Sequence, residues 1–236
     1  MTSDNLLALK GITKQYKEFR LGPLDLSVPR GYVMGLVGAN GAGKTTAIKI
    51  ALGAVLPGNG SAHLIDKTRV GVVLDQPCWQ ATWRVRDLSR LLGPFYPGWD
   101  QRVFDELCEW AGVSQRLKVR EFSRGMGMKV QVAVALAHRA ELLVLDEPTS
   151  GLDPLARGEL LDKLSEFMTD ERHSVLFSTH ITTDLDRMAD LVTILDAGRV
   201  IASGARDDLL EAWAMVRGGA ADLTGELRAR IRGLRQ

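Results

Sequence analysis

Nine consecutive residues, Gly38-Ala39-Asn40-Gly41-Ala42-Gly43-Lys44-Thr45-Thr46, limit what this chain can fold into more than any other stretch. They fit the order Gly, four residues, Gly, Lys, Ser/Thr, the pattern of a loop that cradles phosphates. The pattern carries meaning only between a strand and a helix. The apolar run Tyr32–Val37 before it reads as a buried strand, and Ala47, Ile50, Ala51 and Ala54 after it predict a helix with one apolar face. In such a loop the backbone turns its N–H groups inward around a diphosphate, and the helix start adds its positive dipole end. Lys44 can then reach the β- and γ-phosphates, and the Thr45 hydroxyl can ligate Mg²⁺. The expectation is a nucleotide site.

Composition narrows the setting. Of 236 residues, 45% are hydrophobic and 25% charged, an ordinary balance for a globular protein large enough to bury a core without disulfides. A formal net charge of +1 gives no field directed at nucleic acid or an acidic membrane. Cys78 and Cys108 stand apart, without the paired spacing of a zinc site, which points to a reduced compartment. Met1-Thr2-Ser3-Asp4 does not open a secretory signal, and no apolar run is long enough to span a bilayer.

In chain order, Leu6–Ile12 and Leu24–Val28 predict two strands around the polar segment Thr13–Phe19, where Tyr16 can stack on a base or simply pack the loop. Pro57-Gly58-Asn59-Gly60 reads as a turn, Leu64 as part of a short strand, and Val70–Leu74 as a strand delivering Asp75-Gln76-Pro77. From there to about Arg120 the pattern is helical. Leu88, Leu91 and Leu92 share one face; Val103, Phe104, Leu107, Cys108 and Ala111 form another stripe, with Asp100 as its N-cap. Trp99 and Trp110 read as core. Trp79 and Trp83, beside Arg84 and Arg86, fit either a core or a partner surface. Ser123 caps the next helix, which runs through Val130, Ala133, Val134 and Leu136.

Leu142-Leu143-Val144-Leu145-Asp146-Glu147 is a continuous apolar run ending in two carboxylates. That suits a parallel strand covered on both faces, with Asp146 and Glu147 at the C-terminal end where ligands bind. Beyond Pro148–Pro154 a helix carries Leu155, Leu160, Leu161 and Leu164, and a strand Ser174–Ser178 ends at Thr179-His180. Leu191–Leu195 and Val200–Ala202 flank Asp196-Ala197-Gly198-Arg199 as a hairpin. Leu209, Leu210 and Trp213 mark one more helix, and the tail from Thr224 to Gln236 sets Arg228, Arg230, Arg232 and Arg235 around an apolar side.

Taken together, Tyr16, Gly38–Thr46, Gln76, Ser123–Gly125, Asp146–Glu147, Asp153 and His180 resemble, in order and spacing, the ATP-binding subunits of ABC transporters. The resemblance covers residues 5–205. It implies an α/β fold, the P-loop NTPase fold of ABC ATPases, with a RecA-like parallel-sheet core, an N-terminal antiparallel β subdomain and an inserted α-helical subdomain over about 78–138. Residues 206–236 remain as a C-terminal helical extension, the start of an accessory region. By the same resemblance the cofactors are ATP and Mg²⁺. Gly38, Asn40, Gly41, Ala42, Gly43, Lys44, Thr45 and Thr46 hold the phosphates, and Tyr16 stacks on adenine. Thr45, Gln76 and Asp146 attend the metal, and Lys44 and Gln76 join Glu147 and His180 in catalysis. Glu147 is the general base and His180 the switch on the γ-phosphate. Ser123 and Gly125 contact the ATP of a second copy, and Asp153 signals across that dimer. The partners implied are a separate transmembrane permease and a second ATPase subunit, as a homodimer, with no nucleic acid. The chain would lie in the cytoplasm, peripheral on the inner face of the membrane.

Three departures qualify the likeness. Arg124 and Met126 stand where the family signature has Gly and Gln, the stretch between the phosphate loop and Gln76 is short, and Gln76 has unusual neighbours. Phe95–Asp100 and the Phe-Ser-Arg-Gly-Met signature resemble bacterial exporters of drugs, bacteriocins or lantibiotics, with import as the alternative direction. A soluble ABC-type ATPase on ribosomes or DNA is the competing function. Against it, the chain has one cassette, no room for a coiled coil between Lys44 and Asp146, and no cysteine-rich module. A small-molecule kinase would leave Ser123–Gly125 and His180 without a role.

Overall fold

The computed structural model describes residues 4–212. Strand β1 (Asn5–Gln15) pairs antiparallel with β2 (Arg20–Pro29) around the turn that carries Tyr16 and Phe19. Strand β3 (Val33–Val37) leads through the phosphate loop to helix α1 (Lys44–Ala51). Strand β4 (Asn59–Leu64) returns beside β1 and completes a sheet of order β2-β1-β4. It begins inside the expected turn, because Asn59 already pairs with Thr13. Next come β5 (Val70–Val73), α2 (Val85–Leu92), α3 (Gln101–Trp110) and α4 (Arg124–Ala137). Strand β6 (Leu142–Asp146), α5 (Pro154–Phe167), β7 (Ser174–Thr179) and α6 (Thr182–Met188) follow. The hairpin β8 (Leu191–Asp196) and β9 (Arg199–Ala205) leads to α7 (Arg206–Ala212).

The second sheet has the order β5-β6-β7-β3-β8-β9 and is parallel up to β8, with β9 antiparallel at the edge. Every residue of β6 and β7 is buried, which explains their lack of polar alternation: both faces of these strands are covered. On one face Leu36, Val144 and Leu176 pack with Ile48 of α1 and with Leu6, Ile12 and Leu24 of the antiparallel sheet. On the other, Leu143, Leu145 and Phe177 meet Met128 and Val132 of α4 and Leu160 and Leu164 of α5. A third cluster joins Val85, Leu88, Phe104, Leu107 and Cys108 to Val130, Ala133 and Val134. Helix α4 therefore has two apolar faces and belongs to both cores. The fold is the α/β P-loop architecture expected, with a three-stranded antiparallel sheet at its N-terminal side.

Local expectations fared unevenly. Asp100 caps α3, accepting from the amides of Arg102 and Val103 at 3.0 and 3.4 Å. Ala54 does not share the apolar face of α1; it lies exposed beyond the helix, after Gly53 has taken a positive φ of 73°. Leu155 is 72% exposed, because the 3.6-residue period turns it away from Leu164. Trp99 and Trp110 are half-buried against the third cluster, Trp99 with its ring centroid 5.3 Å from that of Phe104. Trp79 and Trp83 are half-buried on the same cluster. Leu209 and Leu210 do fall in a helix, but Trp213 and the arginine-rich tail lie outside the described residues. No helix among the described residues is long and apolar enough to cross a membrane.

Candidate nucleotide site

The parallel register sets the site. Val37 of β3 lies opposite Thr179 of β7, and Asp146 of β6 lies opposite Ser178. The C-terminal ends of three adjacent strands are thus level, and the phosphate loop, Glu147 and His180 all issue from one edge.

Two glycines in the loop admit no side chain. A Cβ on Gly38 would stand 2.3 Å from the Leu195 carbonyl oxygen, where β8 passes. Gly43 has φ +107°, and a Cβ there would meet the Phe19 ring at 2.8 Å. Gly43 is also the N-cap of α1 and has no side chain to cap it, so the first-turn amides keep their donors for an anion. Phe19, Asn40, Gly41, Gly43, Lys44, Thr45, Thr46 and Glu147 line a cleft of about 230 Å³ here.

The charged groups interlock. Lys44 is only 5% exposed; its Nζ donates to the carbonyls of Gly38 (2.6 Å) and Ala39 (3.2 Å) and lies 2.9 Å from Glu147 Oε1. The other carboxylate oxygen of Glu147 is 2.7 Å from His180 Nδ1. Glu147 takes a positive φ of 52°, an uncommon conformation for a residue with a side chain. Its amide donates to Ser178 Oγ (3.0 Å), and the Ser178 hydroxyl donates to Asp146 Oδ1 (2.7 Å), so one serine ties both carboxylate residues to β7.

The ABC transporter family pattern matches residues 21–150, from β2 past the Asp146–Glu147 pair. The chain belongs to the ABC transporter family. It is 34% identical to the Nod factor export ATP-binding protein I of Cupriavidus pinatubonensis over 223 residues, covering 87% of this chain and 68% of that protein. It is 28% identical over 214 residues to the bacitracin transport ATP-binding protein BcrA of Enterococcus faecalis, covering 85% of this chain and 70% of that protein. Among solved structures, the ATP-binding subunit of an ABC transporter is 29% identical with a TM-score of 0.78, covering 95% of this chain and 98% of that one. This chain is an ABC transporter ATPase subunit.

In this ABC ATPase the remaining expected residues lie outside the cleft lining. Tyr16 is 42% exposed, its ring centroid 6.4 Å from that of Phe19, with Lys14 Nζ 5.9 Å from its centre. Gln76 is exposed on the loop after β5, and the start of that loop is held by Gln131 of α4. The Gln131 amide donates to Leu74 O at 2.9 Å, and its oxygen accepts from Leu74 N at 3.0 Å. Ser123 caps α4 by accepting from Met126 N at 3.2 Å, and Gly125 faces Leu152 and Ala156. Asp153 caps α5, accepting from Leu155 N and Ala156 N at 3.0 and 2.9 Å. Arg124 ties the start of α4 to two loops: it donates to Ser150 O and packs against Gly151 in one, and ion-pairs with Asp75 beside Gln76 in the other. Met126 packs on the third cluster, an apolar role that fits the replacement of a polar residue.

Sequence reasoning missed Phe19, Ser178 and Arg124's bridging. Phe19 left a signal, as an aromatic in an otherwise polar segment; Ser178 left none, since a serine in a buried strand has many ordinary uses.

Proposed function

We propose that this ATPase subunit closes with a second copy around two ATP molecules and drives a separate membrane permease that exports a drug, peptide or lantibiotic. The observation that carries the hydrolytic part is the bridging of Glu147 between Lys44 and His180 at the mouth of the phosphate loop. The outward direction is supported by the name of one relative, for Nod factor export, and the peptide cargo by that of the other, for bacitracin transport.

In this reading Lys44 exchanges its hold on Gly38, Ala39 and Glu147 for the β- and γ-phosphates, which frees Glu147 Oε1. Glu147 then takes a proton from the attacking water as the water oxygen bonds to the γ-phosphorus. The bridging oxygen leaves with ADP, and His180 orients Glu147 and the γ-phosphate. Tyr16, with Phe19 beside it, receives the base. Ser123 and Gly125 act on the second copy's nucleotide, and Asp153 lies at the same interface.

The residues present also fit Mg²⁺. Among the described residues no group of three or more His, Cys, Asp or Glu side chains forms an all-protein metal cage. A threonine hydroxyl and one buried carboxylate beside a phosphate loop are the usual donors to an ion shared with substrate phosphates. Thr45 and Asp146 would hold it, with Gln76 approaching from its loop. When bound, it neutralises charge developing on the phosphate oxygens.

The test is Glu147→Gln in the full chain with ATP and Mg²⁺. Light scattering should show an ATP-dependent dimer with hydrolysis stalled; a monomer at saturating ATP, or an unchanged rate, overturns the reading. For direction, cells expressing the chain with its permease should accumulate less of the transported compound, and greater accumulation would mean import. Trp79 and Trp83, both only half-buried, are assigned to the permease contact, and crosslinks from these positions to the permease's cytoplasmic loops check it.

A further inference from the structure

Asp184, in the first turn of α6, is a carboxylate with no exposed surface. Carboxylates are buried this deeply only when paired. Here one oxygen, Oδ1, accepts from Arg157 Nε of α5 at 2.7 Å, with Nη2 of the same ion pair 2.6 Å away. The other, Oδ2, accepts from the hydroxyl of Thr149 at 2.6 Å and from that of Thr179 at 3.4 Å. Thr149 lies two residues after Glu147, and Thr179 immediately precedes His180. A single oxygen atom is therefore shared by hydroxyls from the two segments that carry the Glu147–His180 pair.

Stability alone does not call for an ion pair at this place, since apolar side chains of similar volume serve a core as well or better. A carboxylate adds direction. Its two oxygens are fixed relative to each other, so whatever holds Oδ1 also sets where Oδ2 meets its partners. Arg157 is itself braced by donation to Thr183 Oγ1 at 2.5 Å. Above this node Glu147 keeps an unfavourable positive φ, which persists only where the surroundings over-determine it.

We infer that Asp184, oriented by Arg157, is a positioning residue for ATP hydrolysis: through Thr149 and Thr179 it fixes the separation of Glu147 and His180. The inference rests on the roles proposed above for that pair. Small displacements of groups around a reacting centre cost up to about 10²-fold in rate without touching the substrate. Loss of the node should thus lower turnover while leaving ATP affinity nearly intact.

The experiment compares Thr149→Val, Asp184→Asn and Glu147→Gln in the full chain. Thr149→Val keeps the ion pair and the side-chain shape, so it decides the matter even if Asp184→Asn fails to fold. Four quantities are read: single-turnover hydrolysis, equilibrium ATP binding, the thermal midpoint, and the ¹⁵N resonances of the His180 ring, which need no turnover. The expected result is hydrolysis slowed about 10-fold to 10²-fold with ATP affinity within about twofold, and His180 resonances displaced in the direction that Glu147→Gln displaces them. A normal rate with unmoved His180 resonances overturns the inference, provided Glu147→Gln abolishes hydrolysis. Parallel loss of ATP binding, thermal midpoint and rate also overturns it, because that is a purely structural pair. If Glu147→Gln hydrolyses at the normal rate, the failure belongs to the base assignment instead.

Discussion

Removing the negative charge of Glu147 should tighten ATP binding as well as stop hydrolysis. Lys44 Nζ and Glu147 Oε1 are 2.9 Å apart, and their side chains are only 5% and 15% exposed. At an effective dielectric constant of about 20 the Coulomb attraction of such a pair is about 6 kcal/mol. Desolvation of the two ions offsets most of that. Oε1 also lacks a hydrogen bond of good angle, so the contact is a charge pair without a directional component. A net coupling of about 1–2 kcal/mol remains, and ATP must break it before Lys44 can turn to the phosphates; that corresponds to a factor of about 5–30 in affinity. Glu147→Gln should therefore lower the Kd for ATP by about 5- to 30-fold and slow hydrolysis by about 10²–10⁴-fold. Calorimetric titration with ATP and with ADP at low salt separates two contributions. Freeing Lys44 tightens both ligands, whereas relief of repulsion between the carboxylate and the γ-phosphate tightens ATP alone. An unchanged or weaker Kd for both nucleotides would refute the view that the Lys44–Glu147 pair opposes binding.

Phe104 is fully buried at the centre of the third cluster, so Phe104→Ala should cost about 3–5 kcal/mol, read as a lower urea midpoint. Burial pushes the Cys108 thiol up to about 12, with Asp105 adding to the shift, whereas Cys78 is exposed. A maleimide at pH 7.5 should accordingly label one thiol in the native chain and two after denaturation; fast labelling of both would contradict the packing around α3. His138 is held below its ordinary value of 6.5 chiefly by burial, with its ring stacked 4.1 Å from Tyr96. The neutral form is thus the folded one, so its contribution is complete above about pH 6.5 and is lost as pH falls through the lower folded value. Against His138→Phe, which keeps the stack, wild-type thermal midpoints should drop more steeply between pH 6.5 and 5; parallel curves would show that His138 does not titrate in that window.

What was legible in the sequence was whatever depends on neighbours in the chain. The phosphate loop declares itself because the strand, the glycines and the helix are contiguous. Asp146 and Glu147 declare themselves because a run of buried residues must end where carboxylates can be solvated or paired. Caps at Asp100 and Ser123 follow the same local rule, and both accept from amides of their own helices. Contacts made by tertiary placement were not legible. Nothing near Ser178 in the chain announces that it will hold Asp146 and the Glu147 amide, and nothing near Asp184 announces Thr149 or Arg157. Ala54 was misplaced for a related reason, since periodicity gives a face but does not say where the helix itself stops.

The placement of α4 bears on why one chain alone does not present the whole set. Ser123 and Gly125 do not line the cleft formed by the phosphate loop, Phe19 and Glu147. Bringing them to it within one chain would require α4 to leave both of its cores. Val130 and Ala133 are fully buried in one and Val132 in the other, and Gln131 is bonded to the backbone of Leu74. Each valine alone represents about 1.5–3 kcal/mol of burial, so detaching this helix would cost a large share of the stability of a domain this size. On the role proposed above for Ser123 and Gly125, the reach of the α4 N-terminus would be toward a nucleotide held by another copy. Arg124, tied to Asp75 and Ser150 O, sets the loop geometry from which that reach begins.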